Sequence, residues 1–248
     1  RRALALLDEN ARLGTPPLRD RRVRAAALAA MPEAKPRFEA LRTYEDLRAK
    51  QIPLDLQEQY LLARLYREQG RGAQAASVLR EALDGRPGDA ALLRAYLALM
   101  LDEMEAAAGG KPAPAEAAKL QPWLDRLDRA GPPTPLTQIL HARVLALEGR
   151  AEEADRTLRS ALASSEGDPV ARLKEIAAVY ERIGQPARAE ALLEEFARKA
   201  PGGSVVLADF LGRRGRVAEA LDRCEAALPR LPLPVVAAAA VQVLRQQP

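Results

Sequence analysis

The sequence predicts an all-α fold of stacked helix hairpins, an α-solenoid, and three observations support this prediction. The 248 residues include 51 Ala and 39 Leu, which are the strongest helix formers. Aromatic residues number only nine (Trp 1, Tyr 5, Phe 3), and β-branched residues are sparse, which argues against a β-sandwich or a barrel. A motif of constant spacing occurs four times, and such repetition is typical of helical arrays.

The motif is centred on a glycine. A Tyr or Leu precedes the glycine by four residues, an Ala follows it by five, and a Leu or Cys comes four residues later; in three copies a Pro ends the pattern. A glycine in the left-handed conformation ends a helix, a small residue allows a second helix to approach closely, and a proline stops that helix. Each copy therefore predicts one helix hairpin. The glycines are Gly70, Gly149, Gly184 and Gly215, and the alanines are Ala75, Ala154, Ala189 and Ala220.

This spacing resembles the tetratricopeptide repeat, a helix–turn–helix of 34 residues, in its bacterial multi-repeat form. The resemblance implies a right-handed α-solenoid over residues 56–234. Its last two units overlap by three residues, so we expect a shortened first helix there. The units are 56–89, 90–134, 135–168, 170–203 and 201–234, of which 90–134 is degenerate and carries an insertion at 109–114.

The two ends of the chain fit the repeat less well. We interpret residues 1–55 as diverged helical repeats or an N-terminal cap, with helices expected over 1–13, 19–31 and 36–51. Residues 235–248 predict a terminal helix, which could mediate self-association. The chain begins with Arg rather than Met, so we expect a fragment of a longer solenoid or a processed form. The cytoplasm is the favoured location, with an upstream signal left open.

Charge argues against two classes of partner. Residues 1–55 contain 12 basic and 8 acidic side chains, whereas residues 56–248 contain 26 of each, so the whole net charge of +4 lies at the N-terminal end. No aromatic residue interrupts this basic run, so it predicts a solvated helix rather than a nucleic-acid surface. The most apolar run, 235–241, is far shorter than the ~20 residues that span a bilayer, so no membrane insertion is expected.

The residues that usually perform catalysis are scarce. His141, Cys224 and Asn10 are each the single residue of their type, which excludes a disulfide and a Cys/His zinc site of ordinary ligand count. We expect a structural role for His141 and a buried position for Cys224. The sequence therefore predicts a protein that is not an enzyme and has no metal or cofactor.

The insertion carries no nucleotide-binding motif. The run Gly109–Gly110–Lys111 lacks both the earlier glycine and the following Ser or Thr of a phosphate-binding loop. We expect a flexible loop in which nothing is bulky enough to pack. The preceding acidic residues, including Glu105, are expected to form a solvated face.

The candidate site follows from the resemblance, which implies a concave groove lined by the first helix of each hairpin. Four basic residues at matching positions, Arg64, Arg94, Arg143 and Lys174, predict a basic column that would bind an acidic peptide through carboxylates. Arginines scattered over the surface are the alternative. The groove candidates are Tyr60, Arg64, Arg67, Arg94, Ile139, Arg143, Lys174, Val205 and Asp209.

The resulting functional prediction is an interaction scaffold that binds a protein or peptide partner in the groove. The two-carboxylate clamp of chaperone-binding relatives is excluded, because it needs paired groove Asn side chains and Asn10 lies outside the repeats. Two alternatives stay open at this point. One is a regulatory or sensor domain of a larger multidomain protein, and the more remote one is a hydrolase on an α-helical scaffold.

Overall fold

The computed structural model describes residues 16–109 and 111–246, and within them every regular element is helical. The prediction of an all-α fold is confirmed. The helix expected over residues 1–13 lies outside the described residues. In chain order the elements are α1 (Leu18–Ala29), α2 (Ala34–Ala49), α3 (Leu56–Glu68), α4 (Gly72–Gly85), α5 (Ala90–Ala108), α6 (Pro114–Ala117), a 3₁₀ turn (Ala118–Leu120), α7 (Gln121–Ala130), α8 (Pro135–Leu147), α9 (Ala151–Ala163), α10 (Pro169–Arg182), α11 (Pro186–Lys199), α12 (Gly203–Arg213), α13 (Val217–Glu225) and α14 (Leu233–Arg245).

The described residues divide into two compact units. The first contains the residues up to Glu103 together with Asp125–Gly131, and the second contains Met104–Leu124 and the residues from Pro132 onward. In the first unit α1 packs on α2 and α3 packs on α4, while in the second α8 packs on α9, α10 on α11 and α12 on α13. Because each packed pair is joined by a short loop, its helices run antiparallel, as in the predicted α-solenoid.

Each repeat turn closes in the same way. The four motif glycines have φ between 71° and 82°, the left-handed region that favours glycine. The amide of the residue after each glycine donates to the carbonyl of the residue that precedes the glycine by four positions. Examples are Arg71 N–H to Tyr66 O and Gln185 N–H to Tyr180 O, both at 2.9 Å. This pair of features is the Schellman ending of a helix, so the predicted function of these glycines is confirmed.

The small residues of the motif belong to the buried core. Ala75, Ala154, Ala189 and Ala220 are each 0% exposed. The residue four positions later, which is Cys224 in the last copy, is also buried in every copy. These positions form the core of each hairpin because i and i+4 share one face of a helix.

Helix α12 is the short member among the first helices of the hairpins. It has 11 residues, whereas α10 has 14. Only three residues separate it from α11, and its first residue, Gly203, lies directly against the backbone of Phe196 and Ala197. The overlap of the last two motif copies is accommodated by this close approach, which only a residue without a side chain permits.

One buried arginine organises the connection from α9 to α10. Arg172 is 4% exposed and donates to the carbonyl oxygens of Ala161 at 2.7 Å, Ser164 at 2.6 Å and Glu166. Ala161 lies in the last turn of α9, where carbonyl groups have no partner within the helix. A cation at that end of a helix also faces the negative end of the helix dipole. Arg172 therefore fixes this loop from the inside.

Candidate partner-binding surface

In the first unit, the predicted groove residues lie on α3 and α5 with unequal exposure. Tyr60 is 40% exposed and Arg67 is exposed, whereas Arg94 is half-buried. Arg64 donates to the carbonyl oxygen of Ala29, and its Nε atom lies 3.7 Å from Oε1 of Glu68. The guanidinium of Arg64 thus ties α3 to the end of α1.

In the second unit, the predicted residues lie on α8, α10 and α12. Lys174 is exposed and Val205 is half-buried, but Ile139 is 4% exposed and belongs to the core, so it offers no surface to a partner. Asp209 accepts hydrogen bonds from Arg213 and from Nε2 of Gln246, at 2.8 Å from the latter. Helix α14 therefore covers this end of the surface, because Gln246 immediately follows it.

Arg143 belongs to an internal ion-pair centre. Its Nε and Nη2 atoms donate to the two carboxylate oxygens of Glu105 at 3.0 Å and 2.6 Å, the bidentate arrangement of guanidinium and carboxylate. Nη1 of Arg182 donates to the same carboxylate at 2.8 Å. The side chain of Glu105 is only 7% exposed and that of Arg143 is 12% exposed, whereas that of Arg182 is 34% exposed. One buried carboxylate therefore binds two guanidinium groups.

A cavity of about 310 Å³ adjoins this centre in the second unit. Its polar lining consists of Glu105, Arg143, Arg182 and Lys111, so three cationic side chains and one carboxylate face it. Aliphatic groups form the other walls, from the ends of α5, α8 and α10, the start of α9 and the insertion. This volume lies at the lower end of the ~300–1,000 Å³ of ligand pockets. These aliphatic lining residues are Ala108, Pro112, Ala146, Leu147, Ala151 and Ile183.

The insertion packs against the second unit, contrary to the expectation that nothing in it would pack. The amide of Ala113 donates to the carbonyl oxygen of Leu147 at 2.6 Å. A Cβ atom on Gly149 would lie 3.4 Å from Cβ of Pro112, which is van der Waals contact. Lys111 and Pro112 thereby become part of the cavity wall. The sequence-based expectation failed because short loops can be held by backbone hydrogen bonds and by proline, without large side chains.

A second carboxylate lies near this surface. Glu175 on α10 is an exposed residue, but partial desolvation of its carboxyl group raises the pKa of that group, while the charges of Arg143 and Lys174 oppose that shift. The cationic side chains of α8 and α10 therefore act on two carboxylates, Glu105 and Glu175. The electrostatic field of the surface is mixed rather than a simple basic column.

Sequence reasoning missed Glu105, Arg182 and Lys111 as members of the site. Glu105 was expected on a solvated face, but its side chain is buried and forms ion pairs with Arg143 and Arg182. One signal could have found Arg182: it stands two residues before a motif glycine, as does Arg213 in the next copy. Nη2 of Arg213 donates to Glu181 at 3.0 Å, so both arginines at this position bond to a carboxylate of an earlier first helix.

Other chemistry is poorly represented in the described ranges 16–109 and 111–246. They contain no group of three or more His, Cys, Asp or Glu side chains that could hold a metal ion. Cys224 is buried, and burial raises the pKa of its thiol, which disfavours the reactive thiolate. His141 is half-buried on α8. No helix in these ranges is both long and apolar enough to cross a membrane.

We compared the sequence and the fold of this chain with those of known proteins. Residues 60–91 match the family model described as tetratricopeptide repeat. A tetratricopeptide repeat protein from Parabacteroides merdae ATCC 43184, solved at 2.39 Å resolution, is similar in structure, with a TM-score of 0.68 and 15% identity over 97% of this chain and 91% of that one. The structure named MamA MSR-1 C2 covers 73% of this chain and 97% of its own, with 18% identity and a TM-score of 0.47. No curated protein matches the chain.

The P. merdae structure gives information about the fold, and the family match gives information about the sequence. At 15% identity the structural similarity shows the fold, and the match over residues 60–91 shows the repeat in the sequence itself. Together they support a tetratricopeptide-repeat protein, as the motif spacing predicted. This fold supports an interaction scaffold in general and suggests protein partners.

Proposed function

We propose that this tetratricopeptide-repeat protein is a non-enzymatic scaffold that captures an acidic segment of a partner protein on the first-helix surface of its second unit. That surface is formed by the C-terminal turn of α5 together with α8, α10 and α12. The observation that carries the proposal is the cavity between these helices and the insertion, whose lining contains Lys111, Arg143 and Arg182 and one carboxylate, that of Glu105. The surplus of positive charge favours an anionic partner.

The exposure of the surface supports a docking role. Lys174 is exposed and the side chain of Arg182 is 34% exposed, so both can reach a bound segment. Arg143 is nearly enclosed and contributes its charge rather than a direct contact. Exposed charge pairs stabilise a complex only weakly, so capture should be modest in affinity and sensitive to salt.

In the first unit, fewer of the predicted groove residues are available to a partner. Tyr60 and Arg67 are exposed there, and Arg94 is half-buried, but Arg64 is engaged with Ala29 and Glu68. We retain Tyr60, Arg67 and Arg94 as candidate contacts of the first unit. The apolar terminal helix α14, whose Leu233 is 67% exposed, is a candidate for self-association. The oligomeric state measured in the test below also tests this candidate.

Selection of peptides by phage display tests the proposal. A random peptide library is panned on the wild-type chain, and binders are compared on the double variant Lys174→Glu with Arg182→Gln. Arg156→Glu with Arg198→Gln is the matched control, because it makes the same change of charge on exposed positions of the second helices α9 and α11. Circular dichroism verifies that each variant folds, and size exclusion measures the oligomeric state.

We expect selected peptides to be rich in Asp and Glu, to lose binding to the first variant and to keep binding to the control. Binding should weaken as ionic strength rises from 0.05 to 0.5 M, because salt shortens the distance over which exposed charges attract each other, from about 10 Å at 0.1 M to about 3 Å at 1 M. Peptides without acidic residues, or equal binding by both double variants, would show that the partner surface lies elsewhere.

A further inference from the structure

Exposed apolar side chains are concentrated around the last helix, α14. In residues 16–109 and 111–246, ten large hydrophobic residues are at least 40% exposed, and five of them lie between Leu228 and Leu244. The run from Leu231 to Leu244 contains no charged residue. A helix that is apolar on all sides is normally buried on all sides. We therefore expect α14 to pack against more than it contacts within one copy of the chain.

One face of α14 is buried against the preceding hairpin. The helix packs on α12 and α13, and its residues Val236 and Val243 are 5% and 0% exposed. A Cβ atom on Gly212 would lie 3.3 Å from both γ-carbons of Val243, so α14 lies close against α12. Because Val236 and Val243 are seven residues apart, they mark the same face of the helix.

A second apolar face of α14 is open, and we call it the outer stripe. Four exposed residues at i, i+4, i+8 and i+11 share this side of the helix, namely Leu233, Ala237, Val241 and Leu244. At 3.6 residues per turn, the outer stripe lies roughly 100° around the helix from the face of Val243. The helix therefore has an apolar side that remains available to a partner.

In the other copies of the motif, the position of Val241 is buried. Pro232 precedes Gln246 by 14 residues, as Pro201 precedes Gly215, which aligns the end of α14 with the motif glycines. Val241, five residues before Gln246, is 45% exposed, whereas the residues five before the motif glycines are 1–3% exposed. Those covered residues are Leu65, Val144, Val179 and Phe210. Val241 thus lies at a packing position of the array that has no cover here.

The residues of α14 argue against a further hairpin of the same type as that cover. The motif has a Tyr or Leu four residues before its glycine, but α14 has the exposed Gln242 at this position. The motif glycine itself is replaced by Gln246. Helix α14 therefore lacks both residues with which each hairpin motif begins.

The outer stripe is complementary to itself. It has a leucine at each end and the small Ala237 beside the larger Val241 at its centre. If two α14 helices run antiparallel about a two-fold axis, Ala237 of each copy lies opposite Val241 of the other. A small residue then faces a large one at both central contacts, and the leucines meet at both ends, which is the arrangement that packs two helices closely.

We propose that the outer stripe of α14 binds the outer stripe of a second copy of this chain, in an antiparallel two-fold dimer. This interface is separate from the proposed capture of an acidic segment, because it uses neither Lys174 nor Arg182. The uncharged run from Leu231 to Leu244 brings no like charges together within the contact. Two 13-residue helices are about 20 Å long and bury less than the ~800 Å² per partner of a standard interface, so the dimer should be weak and depend on concentration.

Sedimentation velocity of the full chain, from about 5 to 500 µM, tests the dimer in the range of weak affinities. The average mass should rise with concentration from 26.9 kDa toward twice that value. Val241→Glu should abolish this rise, because pairing would bury a carboxylate without a partner. Val235→Glu is the matched control, since Val235 is 47% exposed on the same helix but lies about 120° around it from Val241. Circular dichroism verifies that both variants fold, and the control should dimerise as the wild type does.

A mixing experiment tests the antiparallel register. Ala237→Glu and Val241→Lys should each weaken self-association at least tenfold. An equimolar mixture of the two variants should form a mixed dimer at least fivefold more tightly than either variant alone, because the introduced carboxylate then faces the introduced ammonium group. Failure of the mixture to restore the dimer would overturn this register.

Other outcomes overturn the pairing as a whole. They are a wild-type chain that stays monomeric at every concentration, a mass that exceeds twice 26.9 kDa, and equal association of Val241→Glu and Val235→Glu. Binding of a peptide of residues 216–228, which contains α13, to a monomeric chain would instead assign the outer stripe to a second helix of another hairpin. None of these results depends on peptide display, so failure of the dimer and failure of the acidic-segment proposal are distinguishable.

Discussion

A Cβ atom on Gly203 would lie 2.5 Å from the Cα atom of Ala197. Helix α12 begins directly against the last turns of α11, and the contact is with backbone atoms, which cannot rotate away. The glycine is therefore required by packing between consecutive hairpins rather than by an unusual backbone angle. It is the local reason why α12 can be short and still join the array.

Replacement Gly203→Ala should destabilise the second unit by about 1–3 kcal/mol, because an added methyl group must push α11 and α12 apart. Urea unfolding followed by circular dichroism measures the change. Gly202→Ala is the matched control: its added Cβ meets nothing within 4 Å, and alanine at this helix N-cap should cost only about 0.5 kcal/mol. Equal losses in the two variants would refute the close approach.

Ala189 provides a test of the hairpin core. It is 0% exposed on α11 and belongs to the hydrophobic core of the second unit, so Ala189→Leu should overpack that core and cost about 1–3 kcal/mol. Ala187→Leu, an exposed position on the same helix, should change stability by less than about 0.5 kcal/mol. The two free energies of unfolding are compared under one set of conditions. A silent Ala189→Leu would show that the motif has been aligned incorrectly.

The hairpins were predictable because their signals are local. Each signal acts within about 20 residues: a glycine at the end of a helix, a small residue five positions later, and the same spacing in all four copies. The conformation of Gly70 or Gly184 follows from its own sequence neighbourhood, and the structure bears it out. Periodicity therefore predicted the helices, the turns and the buried alanines.

The candidate site was less predictable because its contacts are distant in sequence. Glu105 bonds to Arg143 at a separation of 38 residues and to Arg182 at 77. The motif alignment placed Arg143 on a surface, but it cannot show that a carboxylate of another helix neutralises it. The same holds for Ile139, whose burial depends on how neighbouring hairpins pack. Position within a repeat predicts which helix bears a residue, and not which partner the residue meets.

Other arginines also form contacts between residues that are distant in sequence. Arg216 donates to both carboxylate oxygens of Glu190 at 2.7 Å and to Glu219 at 2.6–2.7 Å, and so links one hairpin to the next. Nη2 of Arg48 on α2 lies 2.9 Å from Oε2 of Glu81 on α4. These arginines thus form contacts between helices, whereas the sequence alone suggested only a basic column or arginines scattered over the surface.

Arg172 should be among the most sensitive polar positions of the second unit. In Arg172→Met the aliphatic stem remains, but the carbonyl groups of Ala161, Ser164 and Glu166 lose their donor. Each lost hydrogen bond to a charged group is worth about 1.5–3 kcal/mol, so the total loss should be at least about 2 kcal/mol. Lys174→Met, on the exposed face of the same helix, is the control in urea unfolding and should be nearly neutral. Similar stabilities of both variants would show that Arg172 does not support this loop.

The raised pKa of Glu175 predicts a pH dependence with a definite sign. A carboxyl group whose pKa is higher in the folded than in the unfolded chain binds more protons when folded, so its contribution to stability is greatest below the unfolded value. That contribution is lost as pH rises through the folded pKa. Glu175→Gln cannot ionise, so relative to the wild type it should be more stable at pH 7 than at pH 3. Unfolding free energies of the two proteins between pH 3 and pH 7 measure this difference, and Glu152→Gln on α9 is the matched control for the loss of one surface carboxylate. A wild-type advantage that grows toward pH 7 would instead mean that the ionised Glu175 is stabilised by Arg143 and Lys174 more than it is penalised by burial.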